Sequence, residues 1–76
     1  MEFPEPTVLV FRTSIESEKD IKIVTHYLNN HKAIFSWNLD LEDWENILRL
    51  EVVNTIFTRD IIKNIKRLGY ECEELH

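Results

Sequence analysis

Seventy-six residues, 43% of them hydrophobic and 30% charged, are long enough for one folded domain and too apolar for a disordered chain. A net charge of -5 repels phosphate backbones and argues against a nucleic-acid partner, and the apolar runs fall far short of the roughly 20 residues that cross a bilayer. The single cysteine, Cys72, excludes an intrachain disulfide and fits a reducing, cytoplasmic setting.

The N-terminal "MEFPEP" has two acids and two prolines where a secretory leader would have a basic start and an apolar block, so residues 1–6 read as an irregular lead-in. "TVLVFRT" follows, rich in β-branched and aromatic residues and too short for a helix; it predicts a buried first strand. At Ser17-Glu18-Lys19-Asp20 the serine hydroxyl can accept from the N–H three residues on while the acid reaches back, a capping box that starts a helix. Ile21, Val24 and Leu28 form one stripe of that helix with Ile23 and Tyr27 beside it. "NNHK" closes it, with asparagine expected in the left-handed conformation that ends helices.

"AIFSWNLDL" places Phe35, Trp37 and Leu39 on alternate positions, the pattern of a half-covered strand. An acidic turn, "LEDWEN", leads into "ILRLEVV", where Leu48, Leu50 and Val52 alternate against Arg49 and Glu51; the two strands should form an antiparallel hairpin. In "FTRDIIKNIKRLGY" Thr58 is the predicted cap, Asp60 sits in the first turn, Ile61, Ile62, Ile65 and Leu68 make the buried stripe and Gly69 ends the helix. "YECEEL" suits a short edge strand. The order strand, helix, strand, strand, helix, strand predicts a ferredoxin-like α+β sandwich: a four-stranded antiparallel sheet with both helices on one face, filling residues 1–76 as a single domain.

With that order, the chain resembles the heavy-metal-associated domain of copper chaperones and metal-pumping ATPases. The resemblance covers residues 8–75. The apolar positions of the family's first helix fall on Ile21, Val24 and Leu28, its glycine–valine turn on Ala33 and Ile34, its second-strand valines and aspartate on Trp37, Leu39 and Asp40, and its closing glycine–tyrosine pair on Gly69 and Tyr70. "LEDWEN" is longer than the family's usual turn, and the first strand fits with one residue added to the loop. The family's loop carries methionine and two cysteines; here Ile15 takes the methionine position, Ser17 the first cysteine and Asp20 the second. A hydroxyl and a carboxylate supply neither the softness nor the sulfur that Cu(I) selects, so the loop is degenerate and no metal or other cofactor is expected.

Capping accounts for the identity and spacing of Ser17 and Asp20 without a cation, and two oxygen ligands fall well short of what calcium takes. His26 and His31, five apart, turn to different sides of a helix and read as surface histidines, and His76 is terminal. Cys72, which the resemblance places at a small apolar position of the last strand, has no helix N-terminus or local basic group beside it and reads as a packed thiol. Trp44, the hairpin acids Glu42 and Asp43, and Arg49 on the wet face of the third strand are the candidate contact residues.

Catalysis finds no support. Paired carboxylates in the hairpin lack a dry cleft, and no glycine-flanked nucleophilic serine is present. Acylphosphatases share the topology and use an arginine beside a glycine-rich loop; Arg12 is present, but residues 13–19 contain no glycine. RNA-recognition modules carry aromatics on the third strand, where "ILRLEVV" has none. The sequence therefore points to a non-catalytic module working through an unidentified protein partner or self-association. Heavy-metal binding through altered ligands, and small-ligand sensing as a dimer, are the alternatives.

Overall fold

Alternation decides the sheet. The computed structural model describes residues 7–42 and 44–75; the lead-in at 1–6, Asp43 and His76 lie outside the described residues. Strand β1 spans Thr7–Thr13, β2 Ile34–Asp40, β3 Ile47–Val52 and β4 Cys72–Glu74, in the spatial order β2-β3-β1-β4 with every neighbouring pair antiparallel. Helix α1 covers Glu18–Asn29 between β1 and β2, and α2 covers Thr58–Arg67 between β3 and β4. This is the ferredoxin-like arrangement that the element order predicts.

Register brings the apolar positions onto one face. Leu9 stands opposite Leu50 and Phe11 opposite Leu48, while Trp37 and Leu39 of β2 meet the same two leucines from the other side. Val24 and Leu28 of α1 and Ile61 and Ile65 of α2 close over them in a single buried cluster that also takes in Ile15, Val52 and Cys72. Polar links between elements surround it: Trp37 Nε1 donates to Asn29 Oδ1 at 2.9 Å, tying β2 to α1, and Asn64 Nδ2 donates to the Tyr27 hydroxyl at 3.3 Å, tying the two helices together.

Four local expectations need correction. A register shift between Ile34 and Ser36 makes a β-bulge, so Ile34 instead of Phe35 packs on the core and Phe35 is left 63% exposed. Asn30, at the C-terminus of α1, keeps a right-handed backbone (φ -98°); its Nδ2 donates to His26 O at 2.6 Å, which satisfies a terminal carbonyl without any left-handed residue. Thr58 does not cap α2. A 3-10 turn over Thr55–Phe57 leads into the helix, Phe57 takes the cap position, and the Thr58 hydroxyl donates back to Thr55 O at 2.7 Å. Leu68, just past the last turn of α2, is 38% exposed and does not extend the buried stripe of Ile61 and Ile65.

The end of α2 follows the sequence closely. Gly69 has φ +104°, its N–H donates to Lys66 O, and the Tyr70 N–H donates to Ile65 O; these are the paired bonds of a Schellman close. The chain is thereby turned so that Tyr70 faces α1 and Cys72 enters the sheet edge beside Thr13.

Candidate functional site

The loop joining β1 to α1 is built around a helix N-terminus. Ser17 adopts extended backbone, and its Oγ accepts from the Asp20 N–H at 3.1 Å; Asp20 Oδ2 accepts in return from the N–H groups of Ser17 at 3.1 Å and Glu16 at 3.3 Å. The capping box is complete, as the four-residue spacing predicts. Asp20 has a further partner from far along the chain: the Tyr70 hydroxyl donates to its Oδ1 at 2.8 Å. Backbone donation at Ser17 and the Tyr70 bond hold the Asp20 carboxyl down at about 2, and partial desolvation with the Asp20 bond raises the Tyr70 phenol. Ile15, in the middle of the loop, is wholly buried in the core.

Two residues that the motif reading passed over stitch this loop to its surroundings. Thr13 is buried; its Oγ1 donates to Asn46 O at 2.8 Å and accepts from the Ile15 N–H at 3.3 Å. Asn46 is left-handed (φ +50°), a conformation asparagine tolerates, and the Thr13 N–H donates to Glu45 O. The hairpin end is thus pinned to the end of β1. On the other side the Ser14 Oγ accepts from the Glu71 N–H at 2.8 Å, joining the loop to the approach to β4. Hydroxyls at 13 and 14 carried the only signal, and it pointed to no particular partner.

Beside this loop, Trp44 stands 84% exposed. It borders a cleft of about 200 Å³ shared with Arg12, Glu45, Glu71, Cys72 and Glu73. Arg12 Nη2 donates to Glu73 Oε2 at 2.6 Å and its Nη1 lies 4.0 Å from Glu45 Oε2, so an arginine bridges the hairpin and the β4 edge. Glu42 is exposed, its N–H donating to Asp40 Oδ1. Arg49 is elsewhere: it pairs with Val10 and Asn38 in register and lines a separate concavity of about 330 Å³ with Val8, Ser36 and Glu51 on the open sheet face. The fourth candidate contact residue, Asp43, lies outside the described residues. The structure brings Glu42 and Trp44 into one hairpin and places Arg12 near Trp44, with Arg49 apart from them.

The histidines also differ from the sequence reading. His26 is exposed, but His31 lies beyond the helix end and is half-buried; its Nδ1 accepts from the Ala33 N–H at 3.1 Å, and its ring meets Tyr27 and Phe57 edge-on at 5.8 Å each. Because the chain turns at residue 30, both histidines border one shallow groove of about 630 Å³ with Ile23, Tyr27 and Leu68. Among the described residues, no three of His, Cys, Asp or Glu are grouped closely enough to hold a metal ion. Burial raises the Cys72 thiol to about 11, against a small opposing effect of Lys66. No helix among the described residues is long and apolar enough to cross a membrane.

The fold and the loop together define a ferredoxin-like sandwich whose first loop is a closed helix cap. No protein-family model matches the chain, and no curated protein is detectably similar to it.

Proposed function

We propose that this chain is a non-catalytic interaction module on a frame like that of the heavy-metal-associated domain, with the metal loop converted into a structural cap. The observation that carries the reading is the engagement of Ser17 and Asp20. The serine oxygen takes the Asp20 N–H, and the two carboxylate oxygens take Ser17 N–H, Glu16 N–H and Tyr70 OH. A cation arriving there would have to displace bonds that also start α1 and hold β4's approach. Cys72, the one thiol, is buried and kept protonated, which fits a reducing cytoplasmic setting in which it has no redox task. What the molecule offers outward is contact chemistry: an exposed indole at Trp44, an exposed phenyl at Phe35 and an outer edge of β2 that no strand among the described residues pairs.

Native mass spectrometry of the protein isolated without chelators tests this reading. The expected spectrum shows the metal-free mass, together with a bound macromolecule or a second copy of the chain. Stoichiometric copper or zinc that survives a competing chelator would overturn it, and a retained metabolite on a dimer would favour ligand sensing instead.

A further inference from the structure

The most uneven feature of the surface is its charge. The chain carries -5 overall, yet four of its nine basic residues fall in the ten-residue helix α2. Arg59, Lys63, Lys66 and Arg67 follow one another at helical spacing and, with Ile62 as an apolar floor, line a shallow groove of about 500 Å³. Among the described residues none of the four is in an ion pair. The one acid of α2, Asp60, is turned to His31 at 3.5 Å and to Asn64 Nδ2 at 3.2 Å. Four cations around an isoleucine call for an acidic segment that presents a large apolar side chain.

The chain itself carries such a segment. Trp44, almost fully exposed, projects from a hairpin with Glu42 exposed two residues before it and Glu71 across the neighbouring cleft. A concavity lined by Lys66, Tyr70, Glu71, Cys72 and Glu73 runs between the groove of α2 and the cleft beside Trp44, but the indole, 84% exposed, is not seated in the groove of its own chain. An indole seated in the groove of a second copy would meet Ile62, with cationic stems flanking the ring and the hairpin carboxylates facing ammonium and guanidinium groups. A duplex or a bilayer of anionic lipid, being an extended anion, would instead bring the acid-rich remainder of the chain against its own charge.

We propose that the basic groove of α2 seats the Trp44 hairpin of a second copy of this chain. The inference rests on the reading of the chain as an interaction module and names the partner. Used once per copy, the contact runs head-to-tail and leaves one groove and one hairpin available at the ends; used reciprocally, it closes as a two-fold pair, and a wild-type mass average that levels at two copies or rises past them tells which. The basic stripe is only about 12 Å long at 1.5 Å per residue, so the contact is small, reversible and sensitive to salt.

Sedimentation velocity across a concentration series tests it with two variants. Trp44→Ala removes the hairpin anchor, and Arg59→Glu with Lys63→Glu reverses the groove while placing acid nearer the helix N-terminus, where the dipole favours it. The wild-type mass average should rise with concentration and fall when salt is added. Each variant alone should associate about tenfold or more weakly. An equimolar mixture of the two should form dimers and nothing larger, because it contains one intact groove and one intact hairpin. Far-UV circular dichroism checks folding, and Arg59→Gln with Lys63→Gln gives the same reading should the reversed pair unfold. A monomeric wild type, variants that still self-associate, or a mixture that fails to pair would each overturn the proposal. A monomer that nevertheless retains another protein in native mass spectrometry would leave the interaction-module reading standing; a metal-loaded chain that assembles head-to-tail would do the reverse.

Discussion

At the scale of single residues, the Asp20 carboxylate has two tasks that would pull it in different directions if a cation were also to be held. It closes the N-terminus of α1 and receives the Tyr70 hydroxyl from fifty residues further on. Removing the reciprocal donor's partner by Ser17→Ala should cost about 1 kcal/mol in urea unfolding, the usual loss for an N-cap. The pH dependence has a definite sign. The folded carboxyl stays ionised down to about 2, whereas the unfolded one protonates near its ordinary 3.8. Its contribution is therefore complete above the ordinary value, fades as the pH falls from there toward 2, and is gone below the folded value. The stability difference between wild type and Asp20→Asn, read from urea midpoints, should shrink over that interval. Cys72 provides a second check: a rise from 9.0 to about 11 leaves a thiolate fraction about a hundredfold smaller at neutral pH. A disulfide reagent should label the native protein far more slowly than the urea-unfolded chain, and equal rates would contradict its burial.

Elements end and bend where backbone chemistry requires it. Gly69 closes α2 at φ +104°, and a Cβ added there would meet nothing within 4 Å, so Gly69→Ala is a matter of backbone strain and not of collision. It should destabilise by about 1–2 kcal/mol, the cost of holding an L-residue left-handed, visible as a lower thermal midpoint with unchanged circular dichroism. On β2, the bulge shifts the side-chain alternation by one position, so Ile34, Trp37 and Leu39 reach the core while Phe35 is exposed. Phe35→Ser should therefore change stability by no more than about 0.5 kcal/mol, where Leu48→Ala, at a fully buried position of the facing strand β3, should lose about 2–5 kcal/mol. Comparable losses at 35 and 48 would show that the bulge is misplaced.

At the scale of the whole molecule, a chain of this length has little stability to spare, and the buried cluster of the described residues draws on both helices and on β1, β3 and β4, with β2 packed against it. Ile15 shows the coupling: it belongs to the loop, yet it is completely buried, so Ile15→Ala should cost about 2–5 kcal/mol and broaden or abolish the unfolding transition. Much of the frame was legible in the residues. The β-branched run of β1, the hydroxyl–acid spacing at Ser17 and Asp20, the turn-rich hairpin and Gly69 each act through bonds within a few positions, and local rules suffice for those. The sequence by itself thus determined the element order, the start of α1 and the absence of sulfur from the loop. Only the tertiary structure decided that Tyr70 joins Asp20, that Thr13 pins the hairpin, that His31 turns inward and that Phe35 turns outward. Each of these depends on partners supplied by distant segments or on a one-residue slip in pairing. Alternation and helical spacing describe which face a residue can take; which partner occupies that face is settled when the strands and helices close on one another.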